Sequence, residues 1–237
     1  KYVLHDKMDE GLTFTDGSVA VKFKRGETER ELTENTEYTL TTSGLTDGCA
    51  FEITFIQSFC ATLEDGDQII VTYSATLNDD AVPNHEYKNE TWLKYGENNE
   101  TNHDTTKTKT FELPVFKYTT KTSGKTGLAG AIFTLSKNTE GTQLISLVKT
   151  SAENAAEDTY RVAKNGETTG AVTTVTTPAS GKFTIKGLDA DTYYLTETQQ
   201  PAGYNKLKDP VKVVIKEDGT ITVGTATTTA TTVEVEN

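Results

Sequence analysis

FELPVFKY, residues 111–118, places Phe111, Leu113 and Val115 on one face of an extended chain, and the next position on that face is Lys117. The same period of two recurs on both sides of it. In DQIIVTYSATL, residues 67–77, Ile69, Val71, Tyr73, Ala75 and Leu77 share one face, and Ile70, Thr72, Ser74 and Thr76 the other. YVLHD, VAVKF, EYTLTT, AFEITF and ETWLKY are similar runs upstream. GAIFTLS, TQLISLV, TYRVAK, GKFTIKG, TYYLTET, VKVVIK, TITVG and TTVEVEN follow downstream, with turn signals such as DEG, TDG, EDGD and NDD in the first half and glycine turns in the second. QSFCATLE, residues 57–64, is the one short helical candidate, and there is no long amphipathic helix. Short strands about ten residues apart, separated by turns, predict an all-β fold of β-sandwich type.

The chain has 237 residues, enough for two domains that each bury a core. Only 34% of residues are hydrophobic, and Thr and Gly are abundant, as in pleated strands joined by turns. The stretch GENNETNHDTTKTKT, residues 96–110, has no apolar face and reads as an exposed loop. The expected domains are therefore 1–112 and 113–237. The formal net charge of -12 argues against nucleic acid as a partner, because phosphate backbones bind clustered Lys and Arg. No run of 18 apolar residues is present to cross a membrane, and Lys1 is not followed by a signal-type apolar run. A secretion signal or anchor is expected outside this stretch.

Cys49 and Cys60 are the two cysteines, with no CxxC pair and no nearby paired His to make a zinc set; a disulfide and two free thiols both fit the spacing. His5, His85 and His103 lack metal-ligand spacing and read as surface residues. Asp6, Asp9 and Glu10 with Gly11 do not match a calcium loop. No Ser/His/Asp set, phosphate loop or dinucleotide fingerprint occurs. Neither a metal nor a cofactor is expected.

Sandwich strands put apolar residues inward and polar ones outward, and three strands of the second half break that rule in the same way. Lys117 continues the face of Phe111, Leu113 and Val115. Glu197 continues that of Tyr193 and Leu195, and Asn237 that of Val233 and Val235. One inward Lys at a strand end can snorkel to water. Three coincident cases call for chemistry. Burial disfavours the charged forms of both an amine and a carboxyl, leaving a nucleophilic amine beside a carboxylic acid that can polarise an amide and shuttle protons. Held together in a dry core, amine and amide gain a large effective molarity, and the product is a Lys–Asn isopeptide with loss of ammonia.

The same residues carry a resemblance. YYLTETQQPAGY, residues 193–204, resembles the E-box of CnaB-type domains. GLAGAIFTLSK, residues 127–137, is similar to the strand that follows their reactive Lys, and VEVEN to their last strand with its Asn. The resemblance spans 111–237 and implies Lys117 as nucleophile, Asn237 as acyl donor and Glu197 as catalytic acid/base.

KYVLHDKMDEGLTF, IIVTYSATLNDDAV and KNETWLKYGEN resemble, more loosely, the middle domains of major pilins from Gram-positive sortase-assembled pili. In such domains a Lys on the first strand joins an Asn near the last, assisted by an acid. Asn89, on the face of Thr91, Leu93 and Tyr95, and Asp6, on the face of Tyr2 and Leu4, are the candidates, or else are ordinary buried polar groups. The Lys departs from the pattern: Lys22 and Lys24 alternate with Val21 and Phe23 and face solvent, and Lys1 and Lys7 have no better case. The matching strand is expected upstream of residue 1.

The resemblance implies two tandem immunoglobulin-like (CnaA/CnaB-type) β-sandwich domains of an extracellular, cell-wall-linked pilus shaft subunit. Its partners would be other pilin subunits, joined by sortase. A stalk of a surface adhesin or minor pilin that binds a host ligand is the alternative. An enzyme with turnover is not expected, because Lys117 and Asn237 are consumed in one event.

Overall fold

The computed structural model describes residues 1–121, 124–226 and 228–237. Two compact units divide between Thr108 and Lys109, slightly before the boundary expected at 112, so the strand that carries Lys117 lies whole within the second unit.

In the first unit (Lys1–Thr108) the main sheet is antiparallel. Its order is Asn99–Glu100, Tyr87–Tyr95, Tyr2–Met8, Phe51–Phe55 and Tyr38–Thr41, with Asp104–Thr108 also paired to Tyr87–Tyr95. A three-stranded sheet of Thr28–Glu31, Ala20–Arg25 and Gln68–Thr72 and a two-stranded antiparallel pair, Leu12–Phe14 with Ala75–Leu77, accompany it. Phe51, Ile53 and Phe55 alternate inward along one strand and meet Val21, Tyr38 and Phe59; fully burying such side chains stabilises by about 1.5–3 kcal/mol each. Phe59 comes from the short helix Gln57–Cys60, within the segment expected to be helical.

The 96–110 stretch departs from expectation. Rather than a loop, it contains two strands, and all five residues of Asp104–Thr108 are exposed. Its register against the Tyr87–Tyr95 strand runs from Asp104 opposite Thr91 to Thr108 opposite Tyr87. Backbone pairing on a free edge holds it, and that needs no apolar face.

The second unit (Lys109–Asn237) is a two-sheet sandwich. One sheet runs Thr126–Gly127, Phe111–Thr119, Lys182–Leu188, Asp158–Val162, Leu147–Lys149 and Ala171–Val172, and the last strand, Val233–Glu236, lies parallel to Phe111–Thr119. The other runs Val175–Thr176, Ile132–Ser136, Asp191–Gln199, Val211–Ile215 and Ile221–Val223. Phe111, Leu113, Val115, Phe183, Ile185, Val233 and Val235 of the first sheet share one core with Phe133, Leu135, Tyr193, Leu195, Val213 and Ile215 of the second. The alternation read from sequence is the alternation of burial: along Asp191–Gln199 the buried positions are Tyr193, Leu195 and Glu197.

Candidate functional site

Lys117 is fully buried, the third-to-last residue of the long first strand of the second unit, with a polar head directed into an apolar core. Its backbone is clamped on both sides: its N–H donates to the Gly181 carbonyl (2.8 Å), and its carbonyl accepts from Leu128 N–H (3.0 Å). Gly181 has φ +72° and sits so close that a Cβ there would lie 2.1 Å from the Lys117 carbonyl oxygen. Only glycine fits that position.

From the facing sheet come Phe133 and Glu197, directly paired across their strands. Lys117 Nζ lies 3.2 Å from Glu197 Oε1, and both side chains are wholly shielded from water. The amine also stands 5.9 Å from the centre of the Phe133 ring. The contact lacks the alignment of a hydrogen bond, so Nζ and Oε1 are each left without a bonded partner. The other carboxyl oxygen, Oε2, accepts from Leu207 N–H at 2.7 Å. Burial pushes the Lys117 pKa below the ordinary lysine value, while the neighbouring Glu197 pulls it back up.

The parallel pairing of the last strand, in which Lys117 faces Val235 and Tyr118 faces Glu236, carries Asn237 to the end of the Lys117 strand. Its N–H donates to the Tyr118 carbonyl (3.0 Å), and its side-chain Nδ2 donates to the Asn205 carbonyl (2.5 Å). Its Oδ1 is buried without a partner. The three inward polar residues read from strand phase thus contribute three unpaired buried atoms, an amine, a carboxyl oxygen and an amide oxygen. Leu207, Asn205 and Phe133, which orient or cover the three, were not singled out from sequence.

In the first unit Asp6 is fully buried, and Asn89 Nδ2 donates to its Oδ2 at 2.8 Å. The Tyr73 hydroxyl donates to the same Oδ2 at 2.5 Å and lies 2.7 Å from Asn89 Nδ2. Asp6 Oδ1 and Asn89 Oδ1 are buried without partners. Desolvation raises the Asp6 pKa against the opposing hydrogen bonds of Tyr73 and Asn89, and that of Tyr73 rises to about 12, first through burial and then through Asp6. Lys22 is engaged on the surface with Glu29 at 2.8 Å.

One open sequence reading is resolved and one changes. Cys49 and Cys60 are free thiols. His5 is not a surface residue but is 5% exposed, because Trp92 of the neighbouring strand stacks on its ring at 5.1 Å, nearly parallel at 8°. Its Nδ1 meets Asp47, Glu52 and Cys49, a set that sequence spacing does not display.

Residues 117–229 match the family model described as SpaA, prealbumin-like fold domain. The pilus 2b backbone protein of group B streptococcus is 25% identical; the match covers 100% of this chain and 83% of that one, with a TM-score of 0.61. The major pilin GBS80 of Streptococcus agalactiae (C-terminal fragment) is 21% identical, covering 100% and 87%, TM-score 0.65. The pilus backbone RrgB of Streptococcus pneumoniae is 17% identical, covering 100% and 88%, TM-score 0.61. No curated protein matches in sequence. The chain is therefore similar in fold, over its whole length, to the backbone pilins of Gram-positive bacteria, with a SpaA-type prealbumin-like domain over residues 117–229.

Proposed function

We propose that the chain is part of a pilus shaft subunit whose second unit cross-links itself between Lys117 and Asn237. The observation that carries this is the fully buried 3.2 Å contact of Lys117 Nζ with Glu197 Oε1, together with a buried, unsatisfied Asn237 Oδ1 on the strand paired with that of Lys117. Proton transfer from the ammonium to the carboxylate leaves a neutral amine and a carboxylic acid, which a dry core favours over two charges. The amine attacks Asn237 Cγ while the acid donates to Oδ1. Glu197 then carries the amine proton to Nδ2, the Cγ–Nδ2 bond breaks, and ammonia leaves. The bond that forms is Nζ–Cγ, the Oδ1 proton returns to Glu197 as the amide carbonyl reforms, and Glu197 is left as the neutral acid that entered the attack.

The bond would join the first strand of the unit to its last. Tension entering at one end of the unit would leave at the other through a covalent link, sparing the sandwich, and unlike a disulfide the link cannot be reduced. Those properties suit a fibre built from many subunits, joined to each other by sortase and displayed on the cell wall.

Intact mass is the test. Cross-linked protein is lighter than its sequence by one ammonia, about 17 Da, and Glu197→Ala should restore the full sequence mass. Wild-type protein at the sequence mass would overturn the bond. The shaft role has its own test: surface extracts of the producing bacterium should show ladders of the subunit that resist boiling in detergent, and a single monomer band would exclude polymerisation.

The Asp6, Asn89 and Tyr73 cluster supports a second such site in the first unit. Its two orphaned oxygens would accept hydrogen bonds from an amine.

A further inference from the structure

On the face of the first unit's main sheet opposite the core, four side chains of different kinds converge. His5 lies on the Tyr2–Met8 strand, directly across from Glu52 on one side and Trp92 on the other. Asp47 and Cys49 belong to the turn leading into Phe51–Phe55. That turn is fastened by Ala50 N–H donating to the Asp6 carbonyl at 2.7 Å, and Asp47 Oδ1 accepts from Cys49 N–H at 3.1 Å, which leaves Oδ2 aimed at His5.

His5 Nδ1 is 3.1 Å from Asp47 Oδ2, 3.1 Å from Glu52 Oε1 and 3.7 Å from Cys49 Sγ. The donor atoms of all four residues lie within 4.8 Å of one another. A ring nitrogen has at most one hydrogen to give, and one N–H cannot point at both carboxylates. Once the thiol proton that Cys49 shares with Asp47 is lost, four Lewis bases face a common centre. Bonds of 2.0–2.3 Å to a tetrahedral ion set its ligand atoms roughly 3.3–3.8 Å apart, with sulfur at the longer end, close to the spacings around Nδ1. The Trp92 stack holds the imidazole plane fixed, as a ligand ring requires, and the partly exposed Asp47 and Glu52 leave a route in from solvent.

We propose that His5 Nδ1, Cys49 Sγ, Asp47 Oδ2 and Glu52 Oε1 form a tetrahedral site for a borderline-soft divalent ion, zinc(II) being the class that this mixed nitrogen, sulfur and oxygen set selects. Binding displaces the thiol proton to solvent and involves no change of oxidation state. The ion would pin the 44–49 turn to the two central strands of the sheet, on the face away from the Asp6 cluster.

The test uses the whole chain, stripped of metal and kept under a reductant that does not bind zinc. Titration with zinc against a chromophoric chelator should give one equivalent per chain and raise the melting temperature of the first unit. Cobalt(II) should give the intense visible bands of a tetrahedral ion together with a near-ultraviolet thiolate band, and Cys49→Ser should abolish that band. Cys49→Ser and Asp47→Asn, milder than any change at the stacked His5, should each weaken zinc binding at least tenfold while leaving the metal-free melting temperature in place. Absence of saturable uptake, uptake unchanged in both variants, or a cobalt spectrum without the thiolate band would each overturn the site.

Discussion

Lys117 and Glu197 face each other across the core of the second unit, from opposite sheets, 3.2 Å apart and with neither side chain touching water. A buried pair of this kind is a poor way to stabilise a fold, since the cost of desolvating both groups can exceed their attraction. Well-packed apolar side chains would serve the sandwich better, as Val115 and Leu195 do one strand repeat away. In the proposed cross-linking, the pair is a reactant and its catalyst.

Loss of the catalyst should therefore cost the unit its cross-link. Joining Lys117 to Asn237 closes nearly the whole unit into one loop, worth about 4–5 kcal/mol for a loop on the order of 100 residues. Glu197→Ala should lower the melting temperature of the second unit by roughly 10–20 °C, read by calorimetry alongside the mass. A mutant that has the full sequence mass yet melts with wild type would show that the bond carries no stability.

In a protein that cannot cross-link, the same pair should be a burden. With Asn237→Ala as background, adding Lys117→Met and Glu197→Gln, the latter retaining an oxygen for Leu207 N–H, should leave the unit as stable or up to about 1–4 kcal/mol more stable at pH 7. The advantage should also depend on pH. Burial holds the folded Lys117 pKa below the 10.5 of the unfolded chain, so the folded state sheds this proton first, and the background protein gains stability as pH rises from the folded value towards 10.5. The gap between the two proteins should narrow over that window. Urea unfolding at stepped pH reads it, and a gap that widens would mean that Lys117 is not desolvated.

Gly181 offers a backbone route to the same chemistry. Gly181→Ala meets both a left-handed φ and the Lys117 carbonyl at 2.1 Å, whereas Gly130→Ala, with φ +81° and nothing within 4 Å, meets the φ cost alone. Gly130→Ala should cost about 1–2 kcal/mol and leave cross-linking untouched. Gly181→Ala should cost a further 1–3 kcal/mol or so by overpacking and, by shifting Lys117, slow bond formation up to roughly 100-fold. Mass measured against time after refolding separates the two; equal rates would show that strand position at Lys117 is not critical.

Why these residues could be found in the sequence, and others not, follows from what each depends on. Strand phase is local, so a Lys, Glu or Asn on an apolar face is visible within a few residues of itself, and Lys117, Glu197 and Asn237 all declared themselves that way. Asp6 and Asn89 were visible by the same rule, but Tyr73 looked like one more apolar member of its face; its hydrogen bond to Asp6 spans 67 positions. His5 sits in the phase opposite to Leu4 and Asp6, the phase that reads as solvent, and its burial comes from Trp92, which only the strand order supplies. The strand Asp104–Thr108 had no apolar signal, because backbone pairing and an exposed Lys107–Glu86 ion pair at 2.9 Å hold it.

Tyr73→Phe tests the first unit's cluster. The hydroxyl donates to Asp6 Oδ2, an interaction made with the ionised carboxylate, and its loss leaves a buried acceptor poorer by one bond, a cost of about 1–3 kcal/mol. Desolvation already holds the folded Asp6 pKa above the ordinary 3.8, so the folded state keeps this proton longer than the unfolded chain. Stability from Asp6 is then greatest below pH 3.8 and falls as pH rises towards the folded value. Removing the Tyr73 donor raises that folded value further and prolongs the fall. The difference between wild type and Tyr73→Phe should accordingly be smallest near pH 4 and grow towards neutrality, measured by urea unfolding of the first unit's transition. A difference independent of pH would mean that the hydroxyl only fills space, and that Asp6 is ionised or neutral regardless of its neighbour.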